Sequence, residues 1–380
     1  MSKFYFLPTV YDPNTAATNR ALSYIKGFSE LGITSNVIFF RPNKNFDKIS
    51  ESYKNVHFRY YWKFCYFNNS IFKYISLLFY LIHFLFTLRS GDIVFCYNNA
   101  EIWSQILRFR RGVKLYVEYT EHPNATGIGG RFLTPSMQNF YKLIAKVDGL
   151  FVITTALRDF YISKGVPASK IHITNITVDA SRFQNIEKKL DVVPYIAYCG
   201  TVSNNKDGVD LLIKSFSQVV RKYPEFKLYI IGSTPTSDEL TKNQKLIEEL
   251  GIKDSVVLTG VVTADKMPQL LKDAQILALN RPDNLQARNG FATKIGEYLL
   301  TENPVVLTAV GDFPLFFKDG VNAYLSSPDN INEFAKKLME VLSDYERARM
   351  IGKNGANTAR KYFSYNFVTS SICKVMGLIK

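Results

Sequence analysis

Apolar residues in the first half of the chain come in short continuous runs separated by amphipathic stretches. Runs at 4–7, 35–40, 92–97, 113–119, 149–154 and 170–174 have the length and β-branched or aromatic content of strands buried on both faces. The intervening stretches at 15–31, 100–108, 136–145 and 156–164 have helical period. The first places Ala21, Leu22, Ile25 and Phe28 on one stripe and stops at Gly32. The second half repeats the alternation, with strands at 194–199, 226–231, 256–259, 276–279, 305–307 and 323–325. Helices are expected at 209–221, 238–250, 264–272, 293–300, 313–317, 331–342, 345–362 and 367–378. Alternating strands and helices of this kind predict an α/β protein with parallel, doubly wound, Rossmann-like sheets. The polar, charged stretch 184–191 separates the two sets. It divides the chain into units 1–188 and 189–363, with a last helix over 364–380 expected to pack back on the first unit.

One segment departs from the pattern. Residues 59–67 are basic and aromatic together, and 71–88 form an almost wholly apolar helix. The helix is shorter than the roughly 20 residues that a membrane span needs. The plain reading is a core helix covering the sheet. The sharper one is a surface that touches an anionic monolayer, with Arg59, Trp62, Lys63 and Phe64 at the interface.

Charge adds to this picture because it is uneven. The net charge is +14, and residues 1–190 carry 24 Lys and Arg against 12 Asp and Glu, whereas 191–380 carry 23 against 21. A basic half attracts phosphate-rich partners such as nucleic acid, anionic lipid or a phosphorylated substrate. The four cysteines are scattered without metal or disulfide spacing, and the start is too short an apolar run for a signal peptide. Both point to a reducing, cytoplasmic setting. Four histidines without HxH or HExxH spacing argue against a protein-held metal, and no cofactor is expected.

Candidate chemistry gathers where strands end. After strand 194–199 comes Gly200-Thr-Val-Ser-Asn-Asn-Lys206-Asp-Gly208, which puts Lys206 just ahead of a helix that could hold a diphosphate. After 276–279, a polar loop over 280–289 leads into a helix carrying Lys294 and Glu297. A surface pair between those two, three residues apart, would explain Glu297 equally well. Glu121 and His122 close the strand 113–119.

Several of these stretches together resemble a known family. Residues 195–216 look like a "G-x-x-x-x-x-K-x-G-v-x-x-L-i-x-a-F" element, with Gly200, Lys206, Gly208, Leu212, Ile213 and Phe216 in place. Residues 291–306 are similar to "f-p-t-K-x-x-E-Y-x-a-x-G-k-P-V-V". The stretches 173–179, 256–274 and 310–320 match "v-i-p-N-g-v-D", "v-x-f-x-G-x-v … l-x-x-a-d" and "g-g-x-p-E-x-i-x-d-G". On these residues the chain resembles a retaining GT-B glycosyltransferase of the family 4 type, also called glycosyl transferases group 1. The resemblance implies two Rossmann-like domains facing each other across a cleft. The first would take a glycan or lipid-diphosphate-linked acceptor, as in bacterial surface polysaccharide assembly. The second would take a nucleoside-diphosphate-sugar.

It also implies roles for particular residues. The carboxylate of Glu297 would hold the donor ribose, and Lys206 its diphosphate, with the backbone of Phe291, Ala292 and Thr293 cradling phosphates and sugar. His122 would touch the donor sugar, with Glu121 beside it as a second candidate. Lys206, Glu297 and His122 are thus the catalytic candidates. The sequence departs from the pattern at Asn289, where a second glutamate is usual, and at Thr201, where a basic residue is usual. Asn289 and Gly290 would still line the sugar site, Lys294 and Arg288 would help with charge, and Thr15 and Ala16 would replace the usual glycine-rich first loop. A nucleotide-sugar 2-epimerase of the same fold would need more carboxylates than the loop 284–296 offers. A basic nucleic-acid-binding protein would need a recognisable module, and none is present.

Overall fold

A computed structural model describes residues 2–8, 11, 15–39, 48–49, 52–60, 70–97, 112–123, 136–189 and 191–380. It divides into two compact units. One comprises 1–177 together with 365–380, and the other comprises 178–364.

The first unit is built on seven strands: β1 (Phe4–Leu7), β2 (Ser35–Phe39), β3 (Val56–Tyr60), β4 (Ile93–Tyr97), β5 (Lys114–Tyr119), β6 (Gly149–Val152) and β7 (Ile171–Ile173). Their order is β3-β2-β1-β4-β5-β6-β7, and every pairing is parallel. β1 and β4 are buried along their whole length, as their unbroken apolar sequences require of central strands in a doubly wound sheet. β3 runs into the basic aromatic stretch at Arg59 and is an additional strand. Its alternating burial, with Val56, Phe58 and Tyr60 inward and His57 and Arg59 outward, is that of an edge strand. Trp62, Lys63 and Phe64, and the helix expected at 100–108, lie outside the described residues.

Helix α1 (Ala16–Glu30) starts at Thr15, whose hydroxyl accepts from the Thr18 amide. It buries Tyr24, Ile25 and Phe28 on the sheet. The helix Tyr365–Met376 completes the same core with Val368, Ile372, Cys373 and Met376. The two helices meet at Gly27, where a Cβ would lie 2.5 Å from the Thr369 hydroxyl. Helix α2 (Ser70–Thr87) reaches the sheet through Phe84, edge-on to Tyr5 in β1 at 5.3 Å.

The second unit carries six parallel strands: β8 (Tyr195–Cys199), β9 (Lys227–Ile231), β10 (Val256–Gly260), β11 (Ile276–Leu279), β12 (Val305–Thr308) and β13 (Tyr324–Ser326). Their order is β10-β9-β8-β11-β12-β13. The chain leaves β8 to one side and β11 to the other, so the gap between their carboxyl ends is the topological switch point, the usual ligand seat of such sheets. A short helix, Leu285–Asn289, sits within the stretch read from sequence as loop.

Candidate functional site

The loops that follow β8 and β11 meet at that switch point. Gly200 ends β8 with φ +147°, and a Cβ there would fall 2.2 Å from the Lys294 ammonium. Only glycine lets this backbone approach the lysine so closely. Ser203 then caps the short turn Asn204–Asp207, its hydroxyl accepting from the Lys206 amide. Lys206 is therefore inside a helical turn, half-buried. The next residue, Asp207, is 3% exposed and was not marked by the sequence; Lys294 donates to its carboxylate.

Tyr198 links these parts. Its hydroxyl lies between the Thr201 carbonyl and Asp207 and accepts from Lys294 at 2.9 Å, and the same ammonium sits 4.4 Å over its ring. Arg281, the second residue past β11 and 2% exposed, faces Asp207 at 3.5 Å. It donates to the carbonyls of Lys206 and Gly290 at 3.3 and 3.1 Å. Thr201, Lys206, Gly290 and Lys294 are thus joined in one network through Tyr198, Asp207 and Arg281. Burial alone would raise the Asp207 carboxyl, but Lys294 and then Arg281 outweigh it and hold the group below its ordinary value. Burial in turn lowers the Lys294 ammonium, more than Asp207 raises it.

Glu297 stands one turn along the helix Lys294–Leu300. Lys294 and Glu297 do not turn to each other: Glu297 accepts from Arg182, which follows the crossing into this unit. Burial lowers the Arg182 guanidinium somewhat. Cys199 lies within electrostatic reach of both Lys294 and Arg182, so the two ion pairs flank it, while burial pushes its thiol up to about 11. Asn289 is buried, its amide donating to the Leu285 carbonyl. The Phe291 ring is part of the core, against Phe313, Phe316 and Phe363. Only its backbone, with Ala292 and Thr293 before the helix, is left to meet a ligand. Arg288 is held at the surface by Asp283, so the buried arginine of this region is Arg281.

Beside the network, a cavity of about 430 Å³ opens at the carboxyl ends of β8, β9 and β10, lined by Val202, Gly232, Ser233, Leu240, Gly260 and Val261 among others.

In the first unit, Thr15 and Ala16 open α1. Glu118, at the carboxyl end of β5, is fully buried and paired with Arg20 at 2.6 Å, and Tyr24 donates to it at 2.8 Å. Burial lowers the Arg20 guanidinium, but Glu118, helped by Tyr24 and Tyr97, outweighs it and the net shift is upward. His122 is buried against the Phe160 ring at 4.2 Å, and burial, then Lys164, lowers its pKa. Glu121 is half-buried beside it.

Two parallel Rossmann-like sheets, the second with a cationic switch point, are the fold of GT-B proteins. The profile described as "Glycosyl transferases group 1" matches residues 180–358, a little under half of the chain. The chain is 23% identical to the alpha-D-kanosaminyltransferase of Streptomyces kanamyceticus over 56% of each protein. It is 24% identical to the poly(ribitol-phosphate) alpha-N-acetylglucosaminyltransferase of Staphylococcus aureus over 57% of this chain and 41% of that one. It spans about half the length of the curated relatives it matches. Among solved structures it is similar to Anabaena HepE in complex with UDP, with TM-score 0.74, 17% identity, and 99% and 100% of the two chains covered. It is similar to TarM with TM-score 0.74, 15% identity and 99% of each chain covered.

Proposed function

We propose that the protein transfers a sugar from a nucleoside-diphosphate-sugar to a hydroxyl of a glycan or lipid-diphosphate-linked acceptor, with retained configuration, in bacterial surface polysaccharide synthesis. The observation that carries this is the network at the switch point of the second unit. Lys294 and Arg281 gather beside Gly200 and the start of the helix bearing Glu297, and the backbone of Lys206 is tied into the same network. Ammonium and guanidinium groups at such a site suit a leaving diphosphate. The adjacent cavity, with apolar walls and exposed loop backbone, suits a base. Glu297 accepts the ribose hydroxyls, taking them in place of Arg182. The second unit is then the donor domain and the first the acceptor domain.

In the reaction, the bond from the anomeric carbon to the diphosphate oxygen breaks, and the bond to the acceptor oxygen forms on the same face. The acceptor proton passes to the leaving phosphate. Side-chain nucleophilic attack is not required, and the Cys199 thiol stays protonated near neutral pH. His122, with its pKa lowered, is neutral at pH 7 and serves as a hydrogen-bonding group toward the donor sugar.

UDP, GDP, ADP, CMP and dTDP are compared by thermal shift, since a ligand bound only by the folded state raises the melting point. At least one diphosphate is expected to raise it. Glu297→Ala and Lys206→Ala are each expected to lower transfer by about 10²-fold or more, with the melting point of the free protein little changed. Wild-type turnover in either variant refutes the site.

A further inference from the structure

Helix α2 carries a row of large apolar side chains on its outer face. Ile75, Leu78, Phe79, Ile82 and Phe86 follow each other at helical spacing and are 43% to 74% exposed. The opposite face is anchored, with Phe84 and Leu88 fully buried. The exposed row is therefore not a core stripe waiting for the sheet, because the sheet-facing stripe is already in place. A run of apolar side chains this long on a soluble surface marks a place where something docks.

Charge says what docks there. From Ser52 to Gly91 the chain contains Lys54, Arg59, Lys63, Lys73 and Arg89 and no Asp or Glu. The next acid along, Asp92, is buried and occupied by the amides of Lys3 and Arg89. Arg89 follows the carboxyl end of α2, and Lys3 and Lys114 stand exposed at the starts of β1 and β5, the two strands that flank β4. No described helix is long and apolar enough to cross a membrane. An apolar helix face in a stretch of chain whose charged residues are all basic suits the plane of an anionic bilayer, where side chains enter the acyl boundary while cations meet phosphates.

We infer that α2 is a docking face by which the protein rests on an anionic lipid surface, the outer row Ile75–Leu78–Phe79–Ile82 entering the monolayer. This stands independently of the donor site. It is tested by co-sedimenting the whole protein with vesicles of phosphatidylcholine alone or with about 30% phosphatidylglycerol. Wild type is expected to bind the anionic vesicles at least ten-fold better, less so at high salt. Leu78→Gln with Phe79→Gln is expected to lose at least ten-fold of that binding, and Arg89→Glu several-fold. Both side chains replaced in the double variant are exposed, so its melting point and its shift with nucleoside diphosphate should match wild type. A failure of diphosphate binding in all forms leaves the vesicle result interpretable on its own. Equal binding to both vesicles, or a double variant that binds like wild type, overturns the inference. So does a vesicle-free dimer that the double variant abolishes, which would assign the row to a second copy of the chain.

Discussion

Asp207 shows how single side chains build this site. It is buried between Lys294 and Arg281, so removing it would leave two cations facing each other with their shared partner gone. Breaking a buried pair from one side is costly, and Asp207→Ala is expected to lower stability by about 3–5 kcal/mol in urea unfolding. The resemblance pointed to Lys206, Lys294 and Glu297 by their places in motifs. It gave no hint of Asp207, Arg281 or Arg182, because what matters in these three is a partner 75 to 115 residues away. A weak signal was present for Arg281, a charged residue directly after a buried strand and an asparagine. The spacing of Lys294 and Glu297 suggested that they pair, but tertiary partners outcompete an i,i+3 contact worth a few tenths of a kcal/mol.

Histidines give the residue scale a pH dependence. Burial lowers the pKa of His122, with help from Lys164, and of His172. A group whose folded pKa lies below its unfolded value of about 6.5 takes up its proton first in the unfolded chain. The stability tied to neutral imidazole is therefore complete above pH 6.5 and lost as pH falls from there toward the folded values. The melting point is expected to drop between pH 7.5 and 5.5, and His172→Gln to flatten the drop.

At the scale of elements, what the sequence displayed best were the buried parallel strands, whose apolar runs have few other readings. β3 was hidden because its alternation of Val56, Phe58 and Tyr60 with His57 and Arg59 runs directly into an aromatic, basic stretch. The turn Leu285–Asn289 was hidden because its start, Asn284, is as good a loop residue as it is a cap, and here its side chain accepts from the Ala287 amide. Helix packing carries its own constraint at Gly27, where α1 meets the helix Tyr365–Met376. Gly27→Val would push into Thr369 and is expected to cost about 1–3 kcal/mol, read as a lower urea midpoint.

At the scale of the whole molecule, the chain enters the second unit at 178 and returns to the first at 365. A protein ending at 364 lacks Val368, Ile372, Cys373 and Met376, all buried in the first core. At about 1.5–3 kcal/mol for each large apolar side chain, the loss is comparable with the whole stability of a domain. Calorimetry of this truncation is expected to show the first unit melting early or not folded at all, with the second unit's transition retained.

That return path also sets an order of events on the ribosome. The opening 177 residues emerge first, yet the last helix of their core is made some 190 residues later. At about 5–20 residues per second, the nascent first sheet waits on the order of 10–40 s with an apolar groove uncovered. The later-made unit, continuous in sequence, can close before the earlier one, and chaperones that shield greasy surfaces have their longest opportunity on the amino-terminal half.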